Sequence, residues 1–296
     1  MFSMWILFSV LAAFFWASGN IFDKYFIGNK IKRPAVLLVA LGFVHLVTSL
    51  IIYLVHGLEK LSYFHIFLAA IYGNLFILVS YFYFKSLMKG EVSKLVPLLQ
   101  LSPLFTLIFA FVFLGEVFIF SQYIGIFLLI FGALLLSLKK SMTFDSIKPY
   151  LLIICVAFVF SIGDIIVKYL LNFADFWSIY AYFRLTMLPA LLIIIYLNFP
   201  AVSLTLRRQS KKIILLLLLG QCLALVGVLS FIYSIALGPV TLVRALASLQ
   251  PFFVLIFAVV FSIFSPKILK EEMSKSALIL KVISIVLIFI GVILIT

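Results

Sequence analysis

Ionisable and amide side chains are few in this chain, and most stand inside long apolar runs, where each needs a partner or a purpose. One group is Asn20, Asp23 and Lys24 in the first run. Residues at i and i+1 on a helix do not face each other, so Asp23 cannot neutralise Lys24 along one face, whereas Asn20 and Lys24 can share one. A second group is Asp164 and Lys168, four apart with the acid on the N-terminal side, the order that favours an ion pair. A third is made of amides beside Gly or Pro: Asn74 after Gly73, Gln221 after Gly220, Gln100 between Pro97 and Pro103, and Gln250 before Pro251. Arg244 belongs to the last stretch; its counterpart in the first half of the chain is Val96, and an unpaired guanidinium there suits a carboxylate, a phosphate or a lipid headgroup at the outer interface. Arg184, in SIYAYFR, has Asp164 or Asp175 as candidate partner and reads first as structural.

Such residues bind a polar solute or exchange protons; they do not make a catalytic set. Metal-spaced His/Cys/Asp clusters, a phosphate loop and a nucleophile motif are all missing, so neither an enzyme nor a cofactor is expected. His45, His56 and His65 are isolated and suit structural roles. Cys155 and Cys222 lie within apolar runs and read as small core residues rather than a disulfide. The plainer alternative for the polar groups is a self-satisfied Asp164–Lys168 pair, with Lys24 reaching to the membrane interface. Pro97, Pro103 and Pro251 read as kinks, each freeing a carbonyl one turn back that could line a cavity.

The elements that must position these groups are membrane spans. The chain has 296 residues, 67% hydrophobic and 10% charged, with a mean hydropathy of +1.38. A soluble fold of that size needs more polar surface. Apolar runs at 4–27, 34–55, 63–88, 92–115 and 118–138 precede a polar linker. Five more follow at 150–171, 176–197, 212–237, 239–264 and 277–295. None alternates with period two, which excludes a barrel and leaves an all-α membrane protein of ten spans. The net charge of +13 is spread over the breaks between runs, so it reads as topology rather than nucleic-acid binding.

The two sets of five runs are related. AFFWASGNIFDKYFI at 13–27 aligns without gaps on AFVFSIGDIIVKYLL at 157–171, placing Asn20 on Asp164 and Lys24 on Lys168. Residues 90–110 align on 238–258 with ten of 21 positions identical, among them Pro103 on Pro251. Residues 1–140 and 150–296 therefore read as two repeats joined by a linker at 141–149. Five spans per repeat is odd, so the repeats must cross the membrane in opposite senses. The charges agree: Lys30, Lys32 and Arg33 follow run one, Arg207, Arg208, Lys211 and Lys212 follow run seven, and Lys267, Lys270 and Lys275 follow run nine. Basic residues collect in the odd-numbered breaks, which places those breaks in the cytoplasm and both termini outside.

The ordered text WASGNIFDKY with its partner SIGDIIVKY, then YFKSLMKGEVSKLVPLLQLSPLFTLIFAFVFLGE and QYIGIFLLIFGALLL, resembles the EamA family of the drug/metabolite transporter superfamily. The resemblance covers nearly the whole chain. It implies ten helices in inverted five-helix repeats, and outward movement of small metabolites such as amino acids by alternating access across the cell membrane. It also implies a pathway lined by runs 1, 3, 4, 6, 8 and 9, with runs 5 and 10 outside as packing or homodimer surface. Glu116 has no counterpart in the second half, where Phe264 aligns, which leaves its role open. Many members carry their basic loops so that the termini lie inside; the charges here give the reverse. Protons are a candidate coupling ion through Asp23 or Asp164. Rival expectations are a flippase for lipid-linked sugars or phospholipids, and a scaffold subunit whose interior polar groups pair among themselves.

Overall fold

A computed structural model describes residues 3–26, 31, 33–89, 96–137, 148–264 and 275–296. The linker expected at 141–149 falls mostly outside them, as do the side chains of Lys24 and Pro97 and the basic residues Lys30, Lys32, Lys267 and Lys270. Among the described residues the regular structure is helical, without an extended strand.

The first half supplies α1 (Met4–Phe26), α2 (Pro34–Val55) and α3 (Tyr63–Lys89), then a 3-10 turn (Val96–Leu101) leading into α4 (Ser102–Phe109). A π-helical turn (Ala110–Leu114) closes this span, and α5 (Phe120–Ser137) follows. The second half supplies α6 (Lys148–Leu170), α7 (Phe176–Leu185), α8 (Leu188–Arg208), α9 (Lys211–Leu237), α10 (Val240–Ala247), α11 (Gln250–Phe264) and α12 (Lys275–Ile295). Seven helical segments are long and apolar enough to cross a membrane, and three shorter apolar ones run over Leu98–Leu114, Phe120–Leu135 and Ile279–Ile295. Leu54, Val55, Tyr196 and Ile293 stand on the outer faces with most of their surface open, as lipid-facing side chains must. Cys155 and Cys222 are also exposed, so they are exterior rather than core residues.

Three expected spans are broken. The run expected at 176–197 is split at Thr186–Met187 and then continues through Pro200 to Arg208. The run expected at 239–264 is split at Ser248–Leu249. The span through 96–114 passes from 3-10 to α to π geometry. Pro103 and Pro251 stand where the helix type changes or the helix restarts, rather than in the interior of one α-helix. Each stands at the second residue of a new helix, α4 or α11, where the missing N–H would have no intrahelical partner anyway. Pro97 likewise begins the 3-10 turn.

Contacts between the halves come in reciprocal pairs. α1 packs along α9 as α3 packs along α6, and α4 meets α6 as α10 and α11 meet α1; α2 meets α7 and α8, and α5 pairs with α12. The α5–α12 contact is close because both sides carry glycine. A Cβ on Gly125 would stand 2.9 Å from the carbonyl oxygen of Gly291, and a Cβ on Gly291 would stand 2.9 Å from that of Gly125.

Breaks that are far apart in sequence meet at one end of the bundle. The amide of Asp175 donates to Glu59 Oε2 at 2.7 Å, and the amide of Val240 donates to Glu116 Oε1 at 2.8 Å. Ser234 Oγ donates to the carbonyl of Trp5 at 2.6 Å, and Gln122 Nε2 reaches that of Ile295 at 3.5 Å. The residues after α2, after the π turn, after α6 and after α9 thus lie with the start of α1 and the end of α12.

Candidate binding site between the halves

The site is built on the broken helices. Asp164 in α6 is 2% exposed, and it does not pair with Lys168. Its partner is Arg244, in the last turn of α10, which donates Nε to Oδ2 at 2.5 Å and Nη2 to Oδ1. This is the two-pronged fork that a guanidinium offers and an ammonium does not. Thr106 of α4 adds a third donor to Oδ2 at 3.3 Å. Ser161, one turn before Asp164, donates to the carbonyl of Ser102 at 2.8 Å and so fixes α6 against the start of α4. The guanidinium carbon of Arg244 lies 4.1 Å from the ring centroid of Phe231 in α9 and 5.8 Å from that of Trp16 in α1. Tyr72 of α3 packs closely on α6 because Gly163 has no side chain; a Cβ there would overlap Tyr72 Cε2. Both members of this ion pair belong to the second half, with Thr106 and Trp16 of the first half beside it, and the unpaired Arg244 expected from sequence is corrected.

Lys168 serves elsewhere. Its Nζ donates to the carbonyls of Ile235 at 2.8 Å and Gly238 at 2.9 Å, at the C-terminal end of α9. Pro239 cannot donate there, so a cation is the natural partner for those carbonyls. Glu116 takes the other side of the same break: its carboxylate accepts from the amides of Val240 and Thr241 and from Thr241 Oγ1, capping α10. Glu116 thus has a role without needing a counterpart in the second half. Gly115, at φ 67°, ends the π turn in a left-handed conformation and directs Glu116 across to α10.

Asp23 of α1 accepts from Gln221 Nε2 of α9 at 3.3 Å. The two helices approach closely there, since a Cβ on Gly220 would meet Phe22 Cβ at 2.7 Å. Asn74 does not present its amide to an open space. Its Nδ2 donates to the carbonyls of Ala70 at 2.8 Å and Thr186 at 2.9 Å, and its Oδ1 accepts from the amide of Ala190 at 3.0 Å. It splices the break between α7 and α8. Gln100 is buried, and Asn20 and Gln250 are half-buried. The structure joins Asp164 with Arg244 and Asp23 with Gln221, and it assigns Asn74 and Lys168 to helix ends.

Two groups that the sequence placed elsewhere complete the seam. Arg184, 3% exposed, pairs with neither Asp164 nor Asp175; its Cζ lies 4.1 Å from the Phe76 ring centroid. His45 Nδ1 hydrogen-bonds the Tyr180 hydroxyl at 2.7 Å beside it. Asp175 caps α7 through the amides of Trp177 at 2.7 Å and Ser178 at 3.1 Å, and it meets His56 Nε2 at 3.3 Å. Partial burial raises the Asp175 carboxyl, but hydrogen bonds from Ser178 and Trp177, with the charge of His56, outweigh it and leave the group below the usual aspartate range. Its sequence signal was a plain one, an Asp directly before a helical run.

The helices and the charged seam they bury define a multi-pass membrane protein. Residues 3–138, a little under half of the chain, match the model of the EamA-like transporter family, part of the drug/metabolite transporter superfamily, and over that stretch the chain is similar to it. A solved crystal structure of a protein 18% identical covers 99% of this chain and 100% of its own, with a TM-score of 0.77, a likeness of fold. No curated protein sequence matches the chain.

Proposed function

We propose that the protein is a secondary transporter of small polar metabolites, working by alternating access between two inverted five-span repeats, residues 1–140 and 150–296. The seven long helices and the three shorter apolar ones would make the ten spans. The observation that carries the proposal is the Asp164–Arg244 pair, set where α1, α4, α6, α9 and α10 converge from both halves. Discontinuous helices at matching places, α4 after its 3-10 turn and α10–α11 at Ser248–Leu249, are the arrangement in which transporter sites form. The reciprocal packing of the halves supports the inverted arrangement.

The test is a metabolite screen of cells with and without the protein, repeated with Asp164→Asn and Arg244→Ala. A specific solute whose flux needs the protein and falls with either substitution supports the reading; a confirmed flux indifferent to both removes the site. Repeating the assay under an imposed pH gradient decides proton coupling, since equal rates would remove the proton. The scaffold alternative draws support from the satisfied Asn74, Lys168 and Asp164–Arg244 groups. It is disfavoured by Arg184, whose donors are not all met. The flippase reading loses its phosphate anchor, since Arg244 is engaged by Asp164.

A further inference from the structure

Among the described residues, the buried side-chain atoms without a hydrogen-bond partner are Ser86 Oγ and two nitrogens of one group, Nε and Nη1 of Arg184. The described acids are committed elsewhere. Asp164 holds Arg244, and Asp23 takes Gln221. Asp175 caps α7, Glu59 receives the amide of Asp175, and Glu116 caps α10. A buried guanidinium with no counter-ion is costly. Stacking on Phe76 and a side-chain hydrogen bond with Tyr180 offset only part of that cost, since Nε and Nη1 stay unmet. Arg184 also sits at a contrived place, the last turn of α7, just before the break that Asn74 holds open. Phe76 of α3 and His45 of α2 come from one half and Arg184 and Tyr180 from the other. Tyr72 lies within electrostatic reach of Arg184, Arg244 and Asp164, so the two arginines belong to one seam.

Resting on the transporter reading above, we infer that Arg184 binds the anionic end of the cargo, an oxyanion of the carboxylate or phosphate kind. The Asp164–Arg244 pair is neutral as a unit and Lys168 is held by carbonyls, so among the described residues of the seam the cation left to an arriving anion is Arg184. Its two open donors supply hydrogen bonds that water or a neutral amide cannot match in a low-dielectric seam.

The test uses the full chain purified in detergent, with thermal unfolding followed in L-alanine, L-alaninamide, inorganic phosphate and a chloride control at equal ionic strength. L-alanine or phosphate should raise the Tm above the chloride control, and L-alaninamide, lacking the carboxylate, should not. The arm that works tells carboxylate from phosphate. Arg184→Gln should fold with an unchanged or higher Tm, because an uncompensated charge is gone, and should lose the anion-dependent shift. Arg184→Lys should keep a weakened one. The inference is overturned if neither anion shifts the wild type, or if the shift persists in Arg184→Gln. Should Arg184→Gln fail to fold, a full shift in Arg184→Lys overturns it and a weakened one supports it. A metabolite flux that survives in Arg184→Gln removes Arg184 and leaves the transporter reading. A stabilising anion that vesicles bearing the protein never accumulate removes transport and leaves anion binding.

Discussion

Asp164 and Arg244 stand 80 positions apart, and the sequence offered Asp164 a nearer partner in Lys168. The i,i+4 rule ranks helix neighbours but says nothing of partners on other helices, and here a two-pronged guanidinium took the carboxylate while bare carbonyls took the ammonium. The residue types were legible as the polar groups of the interior; their pairing was not. A buried pair costs most when one member is removed, because the survivor is left charged and alone. Asp164→Asn or Arg244→Gln should therefore each destabilise the purified protein by about 3–5 kcal/mol, and the double variant by clearly less than the sum. Denaturation of all four proteins under one condition measures this, and simple additivity would mean that the pair does not form. At the bundle end, Asp175 gives a pH prediction. Its carboxyl is held below the usual range, so its contribution to stability is present above about pH 4 and is lost as pH falls through the lowered value. Asp175→Ala should cost about 1 kcal/mol near neutrality and remove that acid-dependent step from the stability profile.

At the scale of elements, apolar helices were readable from length and hydropathy, and most of the expected ends fell close to the observed ones, the run expected to stop at 197 being the exception. The breaks inside them were not, because their stability comes from outside the helix. Thr186 and Ala190 are joined through Asn74 of α3. The α9–α10 junction, which the runs ending at 237 and starting at 239 did mark, is held in the same way from outside, by Lys168 of α6 and Glu116 beyond the π turn. Only the prolines marked these sites, and a proline alone does not tell a kink from a start. Since Glu116 supplies three hydrogen bonds to the first turn of α10, Glu116→Ala should destabilise by about 1–2 kcal/mol, with Glu116→Gln recovering part of the loss. If the junction also sets the position of Arg244, Glu116→Ala should lower flux as well as stability. Gly163→Ala tests the opposite face. The added methyl must displace the Tyr72 ring from α6, so the loss should be recovered in large part by Tyr72→Ala in the same chain, as denaturation of the single and double variants would measure.

For the whole molecule, the ten crossings proposed above would place the breaks after α2, after the π turn, after α6 and after α9 on the same side as both termini. That is where the contacts gather them: Asp175 on Glu59, Val240 on Glu116, Ser234 on Trp5, Gln122 on Ile295. Which side that end faces rests on charge alone. The opposite end carries Arg33, Arg207, Arg208 and Lys211, and positive residues in short loops stay in the cytoplasm. With Cys155 and Cys222 replaced by serine, a single cysteine at Lys60 should react with a membrane-impermeant thiol reagent on intact cells. One at Lys211 should react only after the membrane is opened. Both positions are exposed, so access rather than burial decides the outcome. The reverse pattern would place the termini inside and turn the molecule over without disturbing the seam. Labelling of both sites from the same side would break the alternation, and with it the inverted pairing of the two halves on which alternating access depends.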